Sequence, residues 1–272
     1  MECVGVGLVT AKLTRSVAEV GDEVEIARLA ATDTRSWWVR GRRALVASVL
    51  REHVQGAAGK VVADLGCGAG GLCDTLRLYG RVVGIDRSPL SIEICRRKEY
   101  SALVMGQVEH LPLAEASVDL VVMADVLEHV QDDQQAIGEC ARVIRPGGIL
   151  VLTVPAIPRL YGDHDQALGH FRRYSAGGLR HLLHSNGFKV VRITHFNGVF
   201  LPVITAVRLL RRILRDPTPR ADPLVLPGIL NGMAYVGLMM EKLVLALADI
   251  PLGISLLCIA RNACAQGHAV GW

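Results

Sequence analysis

Aromatic residues are scarce: phenylalanine, tryptophan and tyrosine make up only 4% of the 272-residue sequence. Together with a formal charge of just +4, that scarcity argues against a nucleic-acid binder, which needs a strongly basic face and rings on which bases can stack. The seven cysteines include no CxxC pair. An odd count without that spacing points to free thiols in a reducing cytosol rather than a disulfide framework. The opening MECVGVGLVTAKLTRS has no basic n-region and no long apolar core, so no signal peptide is expected. No uncharged apolar run reaches the length of about eighteen residues that a spanning helix requires. Apolar residues themselves are abundant, at 51% with a mean hydropathy of +0.34, and that excess must be placed somewhere. The length allows one large α/β domain with a cap.

The chain is organised around VVADLGCGAGG, residues 61–71. Val61, Val62 and Ala63 read as a buried parallel strand that runs through Asp64 into a turn holding Gly66, Gly68, Gly70 and Gly71, with a helix following from Leu72 to Leu78. Such a turn needs positive φ angles and close approach of a ligand to bare backbone, and the helix start offers free N–H groups to an anionic group. The next strand, Arg81 to Ile85, ends in Asp86. An acidic side chain about twenty residues beyond the turn can accept from both hydroxyls of a ribose. Further strands are expected at Ala102–Gly106, Val118–Met123 and Ile149–Val154. Helices are expected after Ser88-Pro89 and over Asp132–Ile144, the latter stopped by Arg145-Pro146-Gly147-Gly148. This alternation predicts a mostly parallel sheet with right-handed crossovers.

DLGCGAG, followed in order by VVGIDRSP, MGQVEHLPL, VDLVVMADVLEHV and IRPGG, resembles the class I S-adenosylmethionine-dependent methyltransferases, over roughly residues 35–195. A dinucleotide-binding reading of the glycine turn leaves EHLPL and LEHV unexplained. The resemblance implies a seven-stranded, doubly wound α/β fold and direct displacement at the sulfonium methyl, releasing S-adenosylhomocysteine. It implies a cofactor site built from Asp64, Gly66, Cys67, Gly68, Gly70, Asp86, Arg87, Gln107, Val108 and Ala124, with Cys67 as packing rather than nucleophile. At Gln107 many relatives carry an aspartate that holds the adenine amino group; here the amide oxygen must serve. No N/D-P-P-Y/F motif stands where ADVL does, which disfavours nucleic-acid methylation.

Ahead of the core, SWWVRGRR sits in a helical pattern, broken near Asp33, that runs from Asp22 to His53. In the resembled family this segment covers the cofactor and substrate mouth, so Arg40 is expected to pair through its fork with the methionine carboxylate or with an anionic acceptor, and Trp38 to line the acceptor side. Asp125, Glu128 and His129 stand at i, i+3, i+4, which on one helical turn would share a face. They are either structural or a divalent-cation site similar to the acidic-x-x-Glu-His pattern of ubiquinone-pathway O-methyltransferases. The loop PAIPRLYGDHDQALGHFRRYS should overhang the carboxyl ends of the strands. Its candidate bases are His164 beside Asp165, or His170 with Tyr174 one turn on. Tyr161, Arg172 and Arg173 are candidates to hold the acceptor.

Residues 1–54 are thus expected to form an N-terminal helical cover, 55–196 the cofactor-binding core, and 251–272 the closing strand and tail. Residues 197–250, inserted before that last strand, carry the excess hydrophobicity. The insert reads as a packed hairpin or homodimer face, as an apolar roof over a pocket, or as a basic amphipathic element lying on a membrane surface. The protein is expected in the cytoplasm or peripheral to a membrane. The acceptor is expected to be a small molecule with apolar bulk and an anionic handle, such as a prenyl, lipid-linked or secondary-metabolite compound.

Overall fold

A computed structural model describes residues 17–56, 59–214 and 225–263. Readings that fall on the lead-in before Val17, on most of the Pro-rich link and on the tail after residue 263 lie outside the described residues, as do the side chains of Arg211 and Arg212. Two helices come first, α1 (Val17–Thr32) and α2 (Trp37–His53). The expected break near Asp33 is made by Ser36, whose hydroxyl accepts from Val39 N and caps α2. The core then alternates through β1 (Val61–Leu65), α3 (Cys73–Leu76), β2 (Arg81–Asp86), α4 (Pro89–Cys95), β3 (Ala102–Met105), β4 (Val118–Ala124), α5 (Asp133–Val143) and β5 (Ile144–Pro155). Beyond it lie α6 (Asp163–Ala167), α7 (Ala176–Ser185), β6 (Phe188–Phe196), α8 (Leu201–Leu214), α9 (Gly228–Leu245) and β7 (Ser255–Asn262).

The seven strands form one sheet in the order β3-β2-β1-β4-β5-β7-β6. The first five are parallel, and β7 lies antiparallel between β5 and β6. The chain reverses at β1, so β1 and β4 leave a crevice beyond their carboxyl ends, where ligands of such sheets sit. The strands are near-continuous apolar runs because both faces are covered. Leu65, Val121, Met123 and Leu150 pack beneath α5 and α7 on one face, while Val62, Leu120, Val122 and Val151 meet α2 on the other. One boundary departs from expectation. The segment Arg145–Gly148 does not merely stop α5 but opens β5, and a register shift between Val118 and Leu120 absorbs it.

The insert belongs to the body through one stripe of α9. Ala234, Leu238, Glu241 and Leu245 are buried at helical spacing, and α9 crosses α2 so closely that a Cβ on Gly41 would meet Leu238 Cδ1 at 2.1 Å. Trp37 packs on Phe200 and Trp38 stacks on Phe196, with ring centroids 4.8 and 5.8 Å apart. Cover and insert are therefore one structure. Glu241 is the polar pin. Its two oxygens accept from Asn197 N at 2.6 Å and Val199 N at 2.7 Å, holding the chain where it leaves β6. Glu241→Ala would leave both enclosed N–H groups unpaired, an expected loss of about 2–4 kcal/mol readable in urea unfolding. Glu241→Gln, which keeps one acceptor, should lose less.

Candidate active site

One cavity of about 350 Å3 opens above the carboxyl ends of β1 and β4. At one end lies the glycine turn. Gly66, Gly68 and Gly70 have φ of +66°, +53° and +73°, and a Cβ on Gly66 would lie 2.4 Å from Val126 Cγ2, so only glycine fits there. Asp86 is fixed by the turn it serves: one oxygen accepts from Gly68 N and the other from Ser88 N, both at 2.8 Å. A carboxylate has about four acceptor sites, so those two bonds orient it and leave lone pairs for a diol. Asp86, Arg87, Gln107, Val108 and Ala124 line the cavity, as do Asp64, Gly66, Cys67 and Gly68. Gly70 shapes the turn from behind. Asp64 accepts from Tyr100 Oη at 2.6 Å, and burial lifts its pKa to about 6. Cys67 Sγ lies 3.8 Å from Cys95 Sγ in a buried pair that pushes its thiol pKa up. It is packing, not a thiolate nucleophile.

At the other end stand Trp37, Trp38, His129, His164, His170 and Arg173, roofed by Ile204 and Arg208 of α8. Their centre is Asp165, fully buried. Its carboxylate accepts from Gly162 N at 3.0 Å and from Arg173 Nε at 2.8 and 2.9 Å, and it pairs with His170 Nδ1 at 2.9 Å. Burial would raise the Asp165 pKa, but the bonds from His170 and Arg173 outweigh it and hold the group well below the usual carboxylate range. A carboxylate only accepts, so Nδ1 carries a proton towards it, and in the neutral imidazole Nε2 is then the acceptor. Tyr161 fixes the same residue from the backbone side, donating its hydroxyl to His170 O at 2.8 Å. The His129 ring stands at 88° to that of His170, with centroids 4.6 Å apart. Burial first, and then the neighbouring His170, lowers the His129 pKa to about 3.

Several expectations need correction. Arg40 does not reach the cavity: its guanidinium stacks 3.9 Å from the ring centre of Tyr235 on α9. Arg42 lines the cavity instead, bonded to Asp125 Oδ2 at 2.5 Å. Tyr174 is not a turn beyond His170 on a helix. It is buried, and its hydroxyl donates to Asp133 at 2.9 Å and approaches Leu127 O at 3.3 Å. Arg172 turns outward to Gln131 O and Asp133, and Arg173 is consumed by Asp165 and Ala156 O. Arg172 is therefore turned from the acceptor, while Arg173 lines the cavity with its Nε and Nη1 already engaged. Tyr161 supports His170 without lining the cavity, and Asp165 pairs with His170 rather than with its neighbour His164. Asp125, Glu128 and His129 do not share a helical face either. Asp125 has φ +56° and turns away to Arg42 and Thr153 ahead of a short 3-10 turn at Leu127–His129. His170 takes its place: Glu128, His129 and His170 bring ligand atoms within 4.8 Å of one another. Glu128 Oε2 is buried and has no hydrogen-bond partner, and burial, then Asp125, raises the Glu128 pKa well above the ordinary value. The donor set of one carboxylate and two imidazoles suits a divalent ion such as zinc.

Residues 63–152 match the methyltransferase domain family. A Mycolicibacterium smegmatis protein named as an S-adenosylmethionine-dependent methyltransferase is 35% identical over 137 residues, which cover 49% of this chain and 53% of that one. A ubiquinone biosynthesis O-methyltransferase of Klebsiella pneumoniae is 31% identical over 147 residues, 49% of this chain and 61% of its own. The chain thus spans about half to three-fifths of the length of these curated relatives. Among solved structures, a chain of the complex between the Haloferax volcanii Trm112 methyltransferase activator and a methyltransferase superposes with a TM-score of 0.63 at 20% identity, covering 92% of this chain and all of that one. The [4+2]-cyclase SpnF follows at 0.60 and 18%, covering 92% and 96%. At such identities the superpositions speak for the fold alone, and the cyclase shows that the fold does not fix the chemistry. The family match lies over β1 to β5, and the Mycolicibacterium relative that shares this stretch is named for S-adenosylmethionine: residues 63–152 form a methyltransferase domain of the class I S-adenosylmethionine-dependent type.

Proposed function

We propose that the protein transfers the methyl group of S-adenosylmethionine to a hydroxyl oxygen of a small apolar acceptor, with His170 as the base and Asp165 orienting it. The observation behind this reading is that the glycine turn with Asp86 and the His170–Asp165 pair share one cavity. The bound donor supplies an already activated sulfonium methyl. The chain's own work is to align the acceptor, exclude water and take a proton. Asp86 holds the ribose while the turn leaves room for the methionyl chain. Trp37, Trp38 and Ile204 give the acceptor an apolar wall. His170 Nε2 receives the hydroxyl proton, and the Asp165 carboxylate stabilises the imidazolium that forms. An anionic handle on the acceptor loses its expected partners, because Arg172 and Arg173 are already engaged. Oxygen is favoured over nitrogen by the built base, since a neutral amine attacks without one, and by the O-methyltransferases among the relatives. The test is S-adenosylhomocysteine release across alkylated phenols, alkyl amines and alkyl phosphates. Turnover of the phenols is expected; turnover confined to amines or phosphates overturns the reading.

A second reading rests on the unpartnered Glu128 oxygen. Glu128, His129 and His170 would hold a divalent cation, Asp165 would support His170 from behind, and the ion would lower the pKa of the acceptor hydroxyl. Chelation discriminates. Activity that disappears on dialysis against EDTA and returns with magnesium or zinc favours the ion; activity that survives dialysis favours His170 as a free base.

A further inference from the structure

We propose that α8 and α9 seat this protein on a lipid surface carrying anionic headgroups. The two helices present apolar side chains outward as well as inward. On α9 the stripe opposite the buried one runs Ile229, Met233, Val236, Met240, Leu243 and, just past the helix end, Leu247, at alternating spacings of four and three, and Ile229 and Leu247 are 82% and 90% exposed. On α8, Val203, Val207 and Leu210 do the same. The segment that leads into α8 meets α9 where Gly237 faces Val199 and Phe200, and Val199 is itself exposed. A bare apolar face of this extent on a folded protein marks a docking surface.

Charge selects the occupant. Helix α8 contains no acidic residue. The one acid of α9, Glu241, is buried and bonded to backbone. Residues 208–220, RLLRRILRDPTPR, carry five arginines against a single aspartate. Two helices that expose apolar side chains and, among the described residues, no carboxylate of their own, in a sequence that runs on into an arginine-rich stretch, suit a bilayer with negative headgroups, where basic residues near the surface add to apolar insertion. A second copy of the chain would bring the same cation-rich sequence and no acid on these helices to answer it. Helix α9 is long and apolar enough to cross a membrane. However, its buried stripe lies on α2, and Glu241 holds two backbone N–H groups of the β6–α8 connection, so lying along the interface keeps contacts that spanning would break. The placement bears on the cavity, because Ile204 and Arg208 line it from the inner side of α8 while Val203 and Val207 face out. The lipid surface would therefore lie against the outside of the cavity roof.

The proposal does not rest on the methyl-transfer reading, since its test needs no acceptor. The full chain is sedimented with vesicles of phosphatidylcholine alone and of phosphatidylcholine with about one-third phosphatidylglycerol, at low and at physiological ionic strength. Binding to the anionic vesicles is expected to exceed binding to the neutral ones by about tenfold or more and to weaken as salt rises. Ile229→Asp with Met233→Asp, both at exposed positions, should reduce binding by about tenfold or more while leaving the thermal melt and S-adenosylmethionine affinity unchanged. Failure to sediment with anionic vesicles overturns the proposal, as does binding indifferent to the double substitution. So does a dimer in sedimentation velocity that the double substitution dissociates, because the face would then belong to a second copy.

Discussion

Asp86→Ala should weaken S-adenosylmethionine binding by about a hundredfold or more. Two hydrogen bonds from ribose hydroxyls to an ionised carboxylate contribute roughly 1.5–3 kcal/mol each, and about 1.4 kcal/mol is a factor of ten in affinity. The side chain also organises its own site: without it Gly68 N and Ser88 N lose the acceptor that fixes the turn. The informative comparison is Asp86→Asn. Both carboxylate oxygens already accept a backbone N–H, so an asparagine amide in either orientation points its NH2 at a donor. Asn should therefore bind nearly as poorly as Ala despite matching Asp in size. Titration calorimetry of the three proteins against S-adenosylmethionine and S-adenosylhomocysteine checks this. Affinity within a few-fold of the parent in either variant would mean that the donor does not lie in the crevice at the end of β2.

The donor half of the site was legible in the sequence because its determinants are local. A strand, a glycine turn and an acid at the end of the next strand form one βαβ unit, and parallel pairing fixes their geometry. The acceptor half depends on contacts that no local pattern records. Arg40 and Arg42 differ by two positions, about 200° around a helix, so they face opposite ways. Ser36 sets the phase of α2 by capping it, and Tyr235, the partner that claims Arg40, lies on α9, far along the chain. One signal was available, in that Arg42 follows Trp38 by one helical turn and so shares its face. In the loop after β5, alternation of His and Asp suggested pairing between sequence neighbours. Instead, α6 ends at Ala167 and Gly169 takes φ +70°, which folds His170 back onto Asp165. The acid-Glu-His spacing failed for a similar reason. It assumed helix at Asp125, where the backbone is left-handed. The insert was recognised as the seat of the surplus hydrophobicity, but only the packing separates its buried stripe from its bare one.

Asp165→Asn should lower kcat by about 10²–10⁴ with donor affinity unchanged. The carboxylate does three things at once. It fixes the Nδ1–H tautomer, sets the ring plane, and places negative charge beside an imidazole that becomes positive as it takes the acceptor proton. An asparagine oxygen can still accept from Nδ1 only if the NH2 faces Arg173, a donor against a donor. Folding must be controlled, and the sign of the effect is definite. The Asp165 pKa is depressed in the native state, so its contribution to stability is fully present above the ordinary carboxylate range, about pH 4, and lost as pH falls through the lower native value. The variant should thus be less stable than the parent at neutral pH, with the gap closing in acid. Because the carboxylate stays ionised throughout mild acid, activity lost there by the parent does not come from protonating Asp165. His170→Gln separates chemistry from folding: it keeps a side-chain donor for Asp165 and has no basic nitrogen, so its kcat should fall as far with little change in melting. The two losses should not add in the double variant, since residues acting as one unit are strongly non-additive. If kcat in both single variants stays within about twofold of the parent, well short of the contribution of a general base, the proton goes to His164 or His129, or the methyl goes to an atom that has none to lose.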